Sequence, residues 1–166
     1  LSEVKDKFGN DSLIVRSSCT AEDNLENSNA GKFLSILDVK TENLEEAIEE
    51  VFSSYPLKNL NDEVLIQPML NNVSMSGVVF SHDPSNVSQY SVFNWHEGSD
   101  TTAVTAGKKS FTWVQSLKST KNLPEKLVPV SYLLEELLNI FNKQPIDLEF
   151  AITEGKSLEI WLLQVR

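Results

Sequence analysis

Hydrophobic positions recur along the chain with two periods, one typical of helices and the other of strands. From Thr41, a plausible helix N-cap, apolar residues recur every three to four positions, which predicts an amphipathic helix. Its apolar positions are Leu44, Ala47, Ile48, Val51 and Phe52. A second helix is predicted from about Ser131 to Asn142, and Pro145 stops it. Its apolar stripe consists of Leu133, Leu134, Leu137, Leu138 and Phe141.

Short runs rich in β-branched, aromatic or alternating apolar residues predict strands. They are residues 13–15, 33–39, 64–70, 76–81, 90–95, 111–114, 147–153 and 157–165. In the run 33–39, alternation places Leu34, Ile36 and Asp38 on one side. Residues 4–12 form a polar lead-in, and the Gly/Ser/Thr-rich stretch 98–110 suits a long hairpin connection or a loop. The pattern predicts an α+β fold with a mostly antiparallel sheet and two main amphipathic helices.

Composition narrows the class of protein. With 166 residues, 40% of them hydrophobic and 23% charged, the chain suits one ordinary globular domain or two small lobes. No apolar stretch approaches the roughly 20 residues of a membrane-spanning helix. A net charge of −10 argues against a free-standing nucleic-acid binder, since phosphate neutralisation needs clustered Lys and Arg. The single Cys19 excludes an internal disulfide and fits a reducing compartment, so we expect a cytoplasmic protein.

The last predicted hairpin carries the clearest polar cluster. Alternation places Asp147 and Glu149 on one face of the first strand, opposite to its apolar face. On the returning strand, the same alternation groups Gln164 and Arg166, with Leu162 continuing that face. Two carboxylates suit a hard cation such as Mg²⁺ beside a phosphate chain, and an arginine suits phosphate oxygens. The alternative is a solvent-facing strand with ordinary charged residues.

A second polar segment follows the first predicted strand. Arg16 stands at the mouth of that strand and is followed by hydroxyl side chains and later by Gly31. A guanidinium, hydroxyls and backbone N–H groups in such an arrangement can wrap a phosphate. Composition alone favours an ordinary turn.

These segments and others resemble one family. Residues 16–23 (RSSCTAED) and 28–32 (SNAGK) resemble the "VRSSATAEDL…SFAGQ" signature of the nucleotide-binding domain of phosphoenolpyruvate synthase and pyruvate phosphate dikinase. The match continues in the family's order, where "VxVQxMV", "SGVxFTxDP", "DIEWA" and "YILQxRP" correspond to residues 64–70, 76–84, 147–151 and 162–166. Five blocks in order over nearly the whole chain are far more specific than any one of them.

The resemblance implies an ATP-grasp fold, in which ATP lies between two lobes and its adenine rests against a hinge strand. Arg16 would contact the ATP phosphates, Gly31 would lie in the phosphate loop, and Ser35 falls where the family usually has Thr. The adenine pocket would be lined by Gln67 and Met69, with the backbone around Pro68 and Leu70.

The same resemblance implies roles in the last hairpin. Glu149, helped by Asp147, would hold Mg²⁺, and Gln164 would contact the metal-bound phosphates. Arg166 would stabilise charge on the group being transferred, so Arg16 and Arg166 are the implied catalytic residues. The implied cofactors are ATP and Mg²⁺.

The sequence also departs from the family pattern. Cys19 stands where the family usually has Ala, and residues 94–100 replace the usual "GLGE" segment. The N-terminal lobe with its "GGKG" loop is missing, and neither His82 nor His96 stands in the context of the family's phosphorylated histidine. We therefore interpret residues 1–166 as a partial ATP-grasp domain, the C-terminal lobe of a longer enzyme, and expect it to be inactive alone.

The resemblance implies a phosphotransferase similar to pyruvate, water dikinase. In such an enzyme a phosphoryl group passes from ATP to a histidine on another domain and then to pyruvate, leaving AMP and phosphate. The partners would be ATP and the enzyme's other domains, with no nucleic acid or membrane. Two alternatives remain: the same ATP module serving another acceptor, as in rifamycin or glucan phosphotransferases, and a non-catalytic module that binds a nucleotide or a partner.

Overall fold

A computed structural model of the chain describes most of its residues. They are residues 1–19, 23–24, 27–28, 34–55, 59–99, 110–117, 119, 122–155 and 157–166, with the backbone alone at 23–24 and 27–28. The chain divides into two compact units, Leu1–Leu70 (unit 1) and Asn71–Arg166 (unit 2). Each unit combines helical segments with antiparallel sheet, which confirms the α+β class.

Unit 1 is built on a three-stranded antiparallel sheet with the strand order β4-β1-β5. Its elements are α1 (Ser2–Phe8), β1 (Leu13–Ser18), β2 (Asp23–Asn24), β3 (Asn27–Ser28), β4 (Ser35–Val39), a 3₁₀ turn (Thr41–Asn43), α2 (Leu44–Ser53) and β5 (Glu63–Pro68). The short helix α1 replaces the polar lead-in expected at residues 4–12. Only Val4 and Phe8 of this helix pack against the core, too few to produce a recognisable apolar period.

The core of unit 1 lies between α2 and one face of its sheet. Leu13 and Val15 of β1 are fully buried there, as are Leu44 and Val51 of α2. The predicted helix is confirmed, although Thr41 does not cap it, because the chain first makes a 3₁₀ turn and α2 begins at Leu44.

A bulge interrupts the alternation expected for β4. Leu13 lies opposite Val39 while Val15 lies opposite Ile36, so β4 carries one more residue than β1 across this interval. Asp38 takes a left-handed conformation, with φ 57°, which non-glycine residues rarely adopt. The bulge turns Val39 into the core and leaves the Asp38 side chain exposed.

Tyr55 joins the end of α2 to two strands through its hydroxyl group. The Tyr55 hydroxyl accepts the N–H of Ser18 at 3.2 Å and donates to the carbonyl of Glu63 at 2.6 Å. We expect Tyr55→Phe to lower the free energy of unfolding by about 1–3 kcal/mol, because two backbone groups lose a part-buried partner. Denaturant titration measures the change. Tyr132→Phe is the control, because this position is 64% exposed and the substitution should hardly change the free energy of unfolding. Equal stability of the Tyr55 variant and the native chain would contradict the role assigned to Tyr55.

Unit 2 is built on a five-stranded antiparallel sheet with the order β10-β9-β6-β7-β8. Its elements are β6 (Val73–Phe80), β7 (Tyr90–Glu97), β8 (Phe111–Ser116), a 3₁₀ turn (Glu125–Leu127), α3 (Val128–Ile140), β9 (Asp147–Glu154) and β10 (Leu158–Val165). Because β7 and β8 pair directly, the stretch 98–110 connects a long hairpin, as one of its two interpretations predicted. Residues 100–109 of that connection lie outside the described part of the chain.

The core of unit 2 lies between α3 and one face of this sheet. Phe93, Leu148 and Phe150 are fully buried in it, together with the inward residues of α3. The helix begins at Val128 rather than near Ser131. It ends at Ile140, before the two positive-φ residues of the following turn, and this leaves Phe141 43% exposed rather than in the predicted apolar stripe. No helix among the described residues is long and apolar enough to cross a membrane.

Candidate functional site

The hairpin formed by β9 and β10 carries the acidic pair that the sequence singled out. Along β9 the buried and half-buried positions alternate at first, with Leu148 and Phe150 in the core. Asp147 and Glu149 therefore project from the face of the sheet opposite α3, as period-two geometry predicts. This face of unit 2 is called the polar face below.

A bulge in β10 decides which residues share the polar face. Leu162 pairs with Phe150, whereas Gln164 pairs with Glu149, so Leu163 is an extra residue in β10. Gln164 consequently lies on the polar face, as predicted. The expectation that Leu162 continues this face is wrong. Because of the bulge, Leu162 pairs with Phe150 and lies on the face of the sheet that packs against α3.

Arg166 brings the polar side chains of the hairpin together. Its backbone pairs with that of Asp147 through two hydrogen bonds of 2.9 and 3.0 Å. Its guanidinium lies 3.6 Å from a carboxylate oxygen of Asp147 and 3.8 Å from one of Glu149. It also donates a 2.8 Å hydrogen bond to Oε1 of Gln164. The four residues that alternation grouped therefore form one cluster, the hairpin cluster.

The hairpin cluster is partly shielded from solvent and contains more carboxylates than guanidinium groups. Side-chain exposure is 15% for Arg166, 27% for Asp147 and 21% for Glu149. Two carboxylates face one guanidinium, so the cluster carries a net charge of −1 when all three groups are ionised. Carboxylates suit a cation, and a guanidinium suits an anion.

The polar face continues across the sheet beyond the hairpin cluster. Glu149 pairs with Val78 of β6, which in turn pairs with Asn94 of β7. The Oδ1 atom of Asn94 accepts a 2.7 Å hydrogen bond from the hydroxyl of Thr112 on β8. The residue order alone does not mark Asn94 or Thr112 as candidates, because only the strand order shows that β7 lies two strands away from β9.

Unit 1 assembles its own set of candidate residues. Arg16 of β1 lies directly opposite Ser35 of β4 and Leu65 of β5. Gln67 lies two residues further along β5, opposite Ile14, and so occupies a diagonal position relative to Arg16. All of them belong to the face of the sheet that points away from the core of unit 1, because Val15 and Ser17 are the buried residues of β1. Ser35 and Gln67 thus each neighbour Arg16, from opposite sides of β1.

The remaining unit 1 candidates differ in how the structure places them. Pro68 ends β5, and Met69 and Leu70 follow it, half-buried. The N–H of Met69 donates a 2.8 Å hydrogen bond to the carbonyl of Ser12, so this group is already used within unit 1. Gly31 lies outside the described residues.

The chemistry of the hairpin cluster fits one kind of metal site. Within the described ranges, no three His, Cys, Asp or Glu side chains come close enough to form a cation cage. Asp147 and Glu149 are a pair of carboxylates with the amide oxygen of Gln164 beside them. Mg²⁺ is usually held by one or two carboxylates together with phosphate oxygens of a substrate and water. The donor set therefore fits a Mg²⁺ ion that arrives with a phosphate chain.

Asp83, in the block that resembles "SGVxFTxDP", organises a turn. Its carboxylate accepts the backbone N–H of Ser85 at 2.8 Å and also the Ser85 hydroxyl, and its backbone N–H donates to the carbonyl of Ser88 at 3.0 Å. The hydrogen bond from the Ser85 hydroxyl, followed by the one from the Ser85 backbone, lowers the pKa of Asp83 from its ordinary value. This Asp acts in local structure and lies outside the hairpin cluster.

One of three comparisons with known proteins agrees with the first of the sequence motifs. Curated proteins give no match. The structure is similar to the crystal structure of PH1788 from Pyrococcus horikoshii, with a TM-score of 0.57 and 15% identity, covering 96% of this chain and 76% of that one. At this identity the likeness shows a shared fold. Residues 1–59 match the family model of the pyruvate phosphate dikinase AMP/ATP-binding domain. This match confirms the resemblance, and the N-terminal part of the chain is similar to the AMP/ATP-binding domain of pyruvate phosphate dikinase.

Proposed function

We propose that the chain binds ATP together with Mg²⁺, as the C-terminal lobe of an ATP-grasp domain in a dikinase-type phosphotransferase. The family match supports nucleotide binding. The observation that carries the proposal is the position of Arg166, whose guanidinium lies within 4 Å of the carboxylates of both Asp147 and Glu149. An anion site and a cation site side by side suit a metal-bound phosphate chain.

Each member of the hairpin cluster then has a chemical task. Bound Mg²⁺ would neutralise negative charge on the phosphate oxygens. Glu149 and Asp147 supply carboxylate ligands for it, and Gln164 contacts the metal-bound phosphates. Arg166 exchanges some of its contact with the carboxylates for phosphate oxygens, which its planar donor fork can bind in pairs. Because these charged groups are in position before the reaction, they lower the free energy of the transition state, in which charge develops on the transferred group.

Unit 1 supplies the other proposed contacts. Arg16 binds phosphate oxygens, and Ser35, directly opposite it in the sheet, adds a hydroxyl group. Adenine contacts come from the segment after Ile66, namely the side chains of Gln67 and Met69 and the backbone around Pro68 and Leu70. Since the Met69 N–H is bonded to Ser12, the base would use other groups of this segment. Gly31 keeps its proposed place in the phosphate loop.

The proposed reaction extends beyond this chain. We propose that phosphoryl from ATP passes to a histidine on another domain of the same cytoplasmic enzyme and from there to pyruvate. The hairpin cluster would act in the first step only, by positioning ATP and neutralising its charge. Transfer itself would require the other domains, so residues 1–166 alone should bind nucleotide without turnover.

Arg166→Gln tests the proposal because it should act in opposite directions on two ligands. Affinity for ATP in the presence of Mg²⁺ should fall about tenfold or more, since a charge-assisted donor to phosphate is lost. Affinity for Mn²⁺ without nucleotide should rise, because the guanidinium no longer competes for the carboxylates of Asp147 and Glu149. Calorimetry measures the first affinity, and the electron paramagnetic resonance signal of free Mn²⁺ measures the second.

The control for this substitution is Lys126→Gln. Lys126 lies 4.0 Å from Glu97 in an exposed ion pair, so its removal deletes one positive charge from unit 2 away from the hairpin cluster. Both affinities should stay close to those of the native chain. Unchanged ATP affinity in the Arg166 variant, or an equal loss in the Lys126 variant, would overturn the role of Arg166.

A further inference from the structure

Unit 2 contains a second candidate site on the side of the sheet opposite the hairpin cluster. A cavity of about 560 Å³ lies between α3 and strands β7 and β8. This volume falls within the range of small-molecule sites in proteins. The sheet contributes Phe93 of β7 to its lining, and Phe93 belongs to the face that packs on α3. The cavity and the hairpin cluster thus occupy opposite faces of one sheet.

The sheet wall of the cavity contains a polar pair where alternation would favour apolar residues. Ser91 of β7 lies directly opposite Gln115 of β8, so their side chains are neighbours on the α3 side. Ser91 is only 2% exposed. The Oε1 atom of Gln115 accepts a 3.3 Å hydrogen bond from the indole of Trp113, which orients the amide and leaves its NH₂ group for another acceptor.

A histidine at the end of the cavity is held by a buried serine. Ser81 is fully buried, and its hydroxyl oxygen accepts the N–H of Ile146 at 2.8 Å. The same oxygen lies 2.9 Å from Nδ1 of His82, whose side chain lines the cavity. When the Ser81 hydroxyl donates to Nδ1, the ring proton of neutral His82 is on Nε2. His82 is thus an oriented side chain rather than a mobile surface group.

The cavity is lined by two exposed side chains of opposite charge and by apolar side chains. Glu135 lies on α3, and Lys143 lies just beyond the C-terminal end of this helix. Leu117, Leu134 and Leu138 add an apolar surface. The cavity therefore offers one anion, one cation and an apolar area to the same ligand.

We propose that this cavity binds a free α-amino acid with an apolar side chain. The ammonium group of the ligand pairs with Glu135, and its carboxylate takes Lys143 and the amide of Gln115. The side chain of the ligand packs on Leu117 and Leu138. A zwitterion pairs with both charged groups at once, whereas a ligand with one charge makes only one of the two charge-assisted contacts. The inference is independent of nucleotide binding, because none of these residues belongs to the hairpin cluster.

Three probes of similar shape test the charge matching in the full 166-residue chain. L-Phenylalanine should give saturable chemical-shift changes in nuclear magnetic resonance spectra. 3-Phenylpropanoate lacks the ammonium group and 2-phenylethylamine lacks the carboxylate, so each should bind at least about tenfold more weakly, equivalent to about 1.4 kcal/mol. No saturable binding of L-phenylalanine to the folded chain, or equal binding of the three probes, would overturn the proposal.

Two neighbouring glutamates of α3 give a matched pair of variants. Glu135 lines the cavity, whereas Glu136 lines a different groove beside β10. Glu135→Gln should weaken L-phenylalanine binding about tenfold, and Glu136→Gln should leave it unchanged. Because both positions are exposed, neither substitution should affect folding. An equal effect of the two substitutions would contradict the assignment of the ammonium contact.

Discussion

Replacing Gly77 with alanine is expected to lower the stability of unit 2 by at least about 3 kcal/mol, more than most overpacking substitutions. Gly77 is buried in β6, with Trp95 and Phe150 opposite it on the flanking strands. A Cβ atom there would lie 2.3 Å from the carbonyl oxygen of Asn94 and 2.9 Å from Cε1 of Phe150. Because the first of these atoms is backbone, relief requires moving a whole strand.

Gly155→Ala is the matched control for this substitution. Gly155 follows β9 in the turn of the last hairpin, and a Cβ atom there would have nothing within 4 Å. This variant should keep its stability or gain slightly from a less flexible unfolded chain. Denaturant titration followed by near-ultraviolet circular dichroism compares the two, and native stability in the Gly77 variant would contradict the packing described for β6.

Replacing Glu149 with glutamine is expected to lower Mg²⁺-dependent ATP affinity by about 100-fold. A neutral amide is a poor ligand for a hard divalent cation. Even substitution of a residue that only hydrogen-bonds to a metal ligand commonly lowers metal affinity or activity about 10–100-fold. The change also removes one of the two carboxylates that face Arg166. The fold should persist, because the Glu149 side chain is 21% exposed and lies outside the core.

Glu159→Gln separates a metal contact from a general charge effect. Glu159 lies in the same hairpin, on β10, opposite Thr153 and far from the hairpin cluster along the strands. The Glu159→Gln substitution removes the same charge from an exposed position, so the affinity for ATP should stay close to that of the native chain. Calorimetric titrations of ATP with and without Mg²⁺ make the comparison. Unchanged affinity in the Glu149 variant would remove Glu149 from the metal site.

Local alternation was enough to predict the main parts of the hairpin cluster. Asp147 and Glu149 share a face because side chains alternate along any strand, and the buried Leu148 and Phe150 determine which face is polar. The two long amphipathic helices were predictable for the same reason, since their apolar stripes are long enough to define a period. Local alternation could not predict that Arg16 lies beside Ser35, because their adjacency depends on how β1 and β4 pair.

The features that escaped prediction depend on register or on distant parts of the chain. The bulges at Asp38 and Leu163 shift the faces of β4 and β10, and nothing in the local residue order marks them. Phe141 fits the helical stripe by spacing, yet the chain leaves the helix at Ile140. The cavity beside α3 could not be predicted, because its walls come from loops, strands and a helix that are distant in the sequence.

Binding of Mn²⁺ and ATP observed by nuclear magnetic resonance tests the central claim most directly. A paramagnetic ion broadens the signals of nearby nuclei, so it locates the metal even when affinity is weak. The account predicts that Mn²⁺ with ATP broadens the signals of Asp147, Glu149 and Gln164 first, while those of Glu97 and Glu159, at the other end of the same sheet, are broadened least. ATP binding that leaves the signals of the hairpin cluster unbroadened would contradict the account.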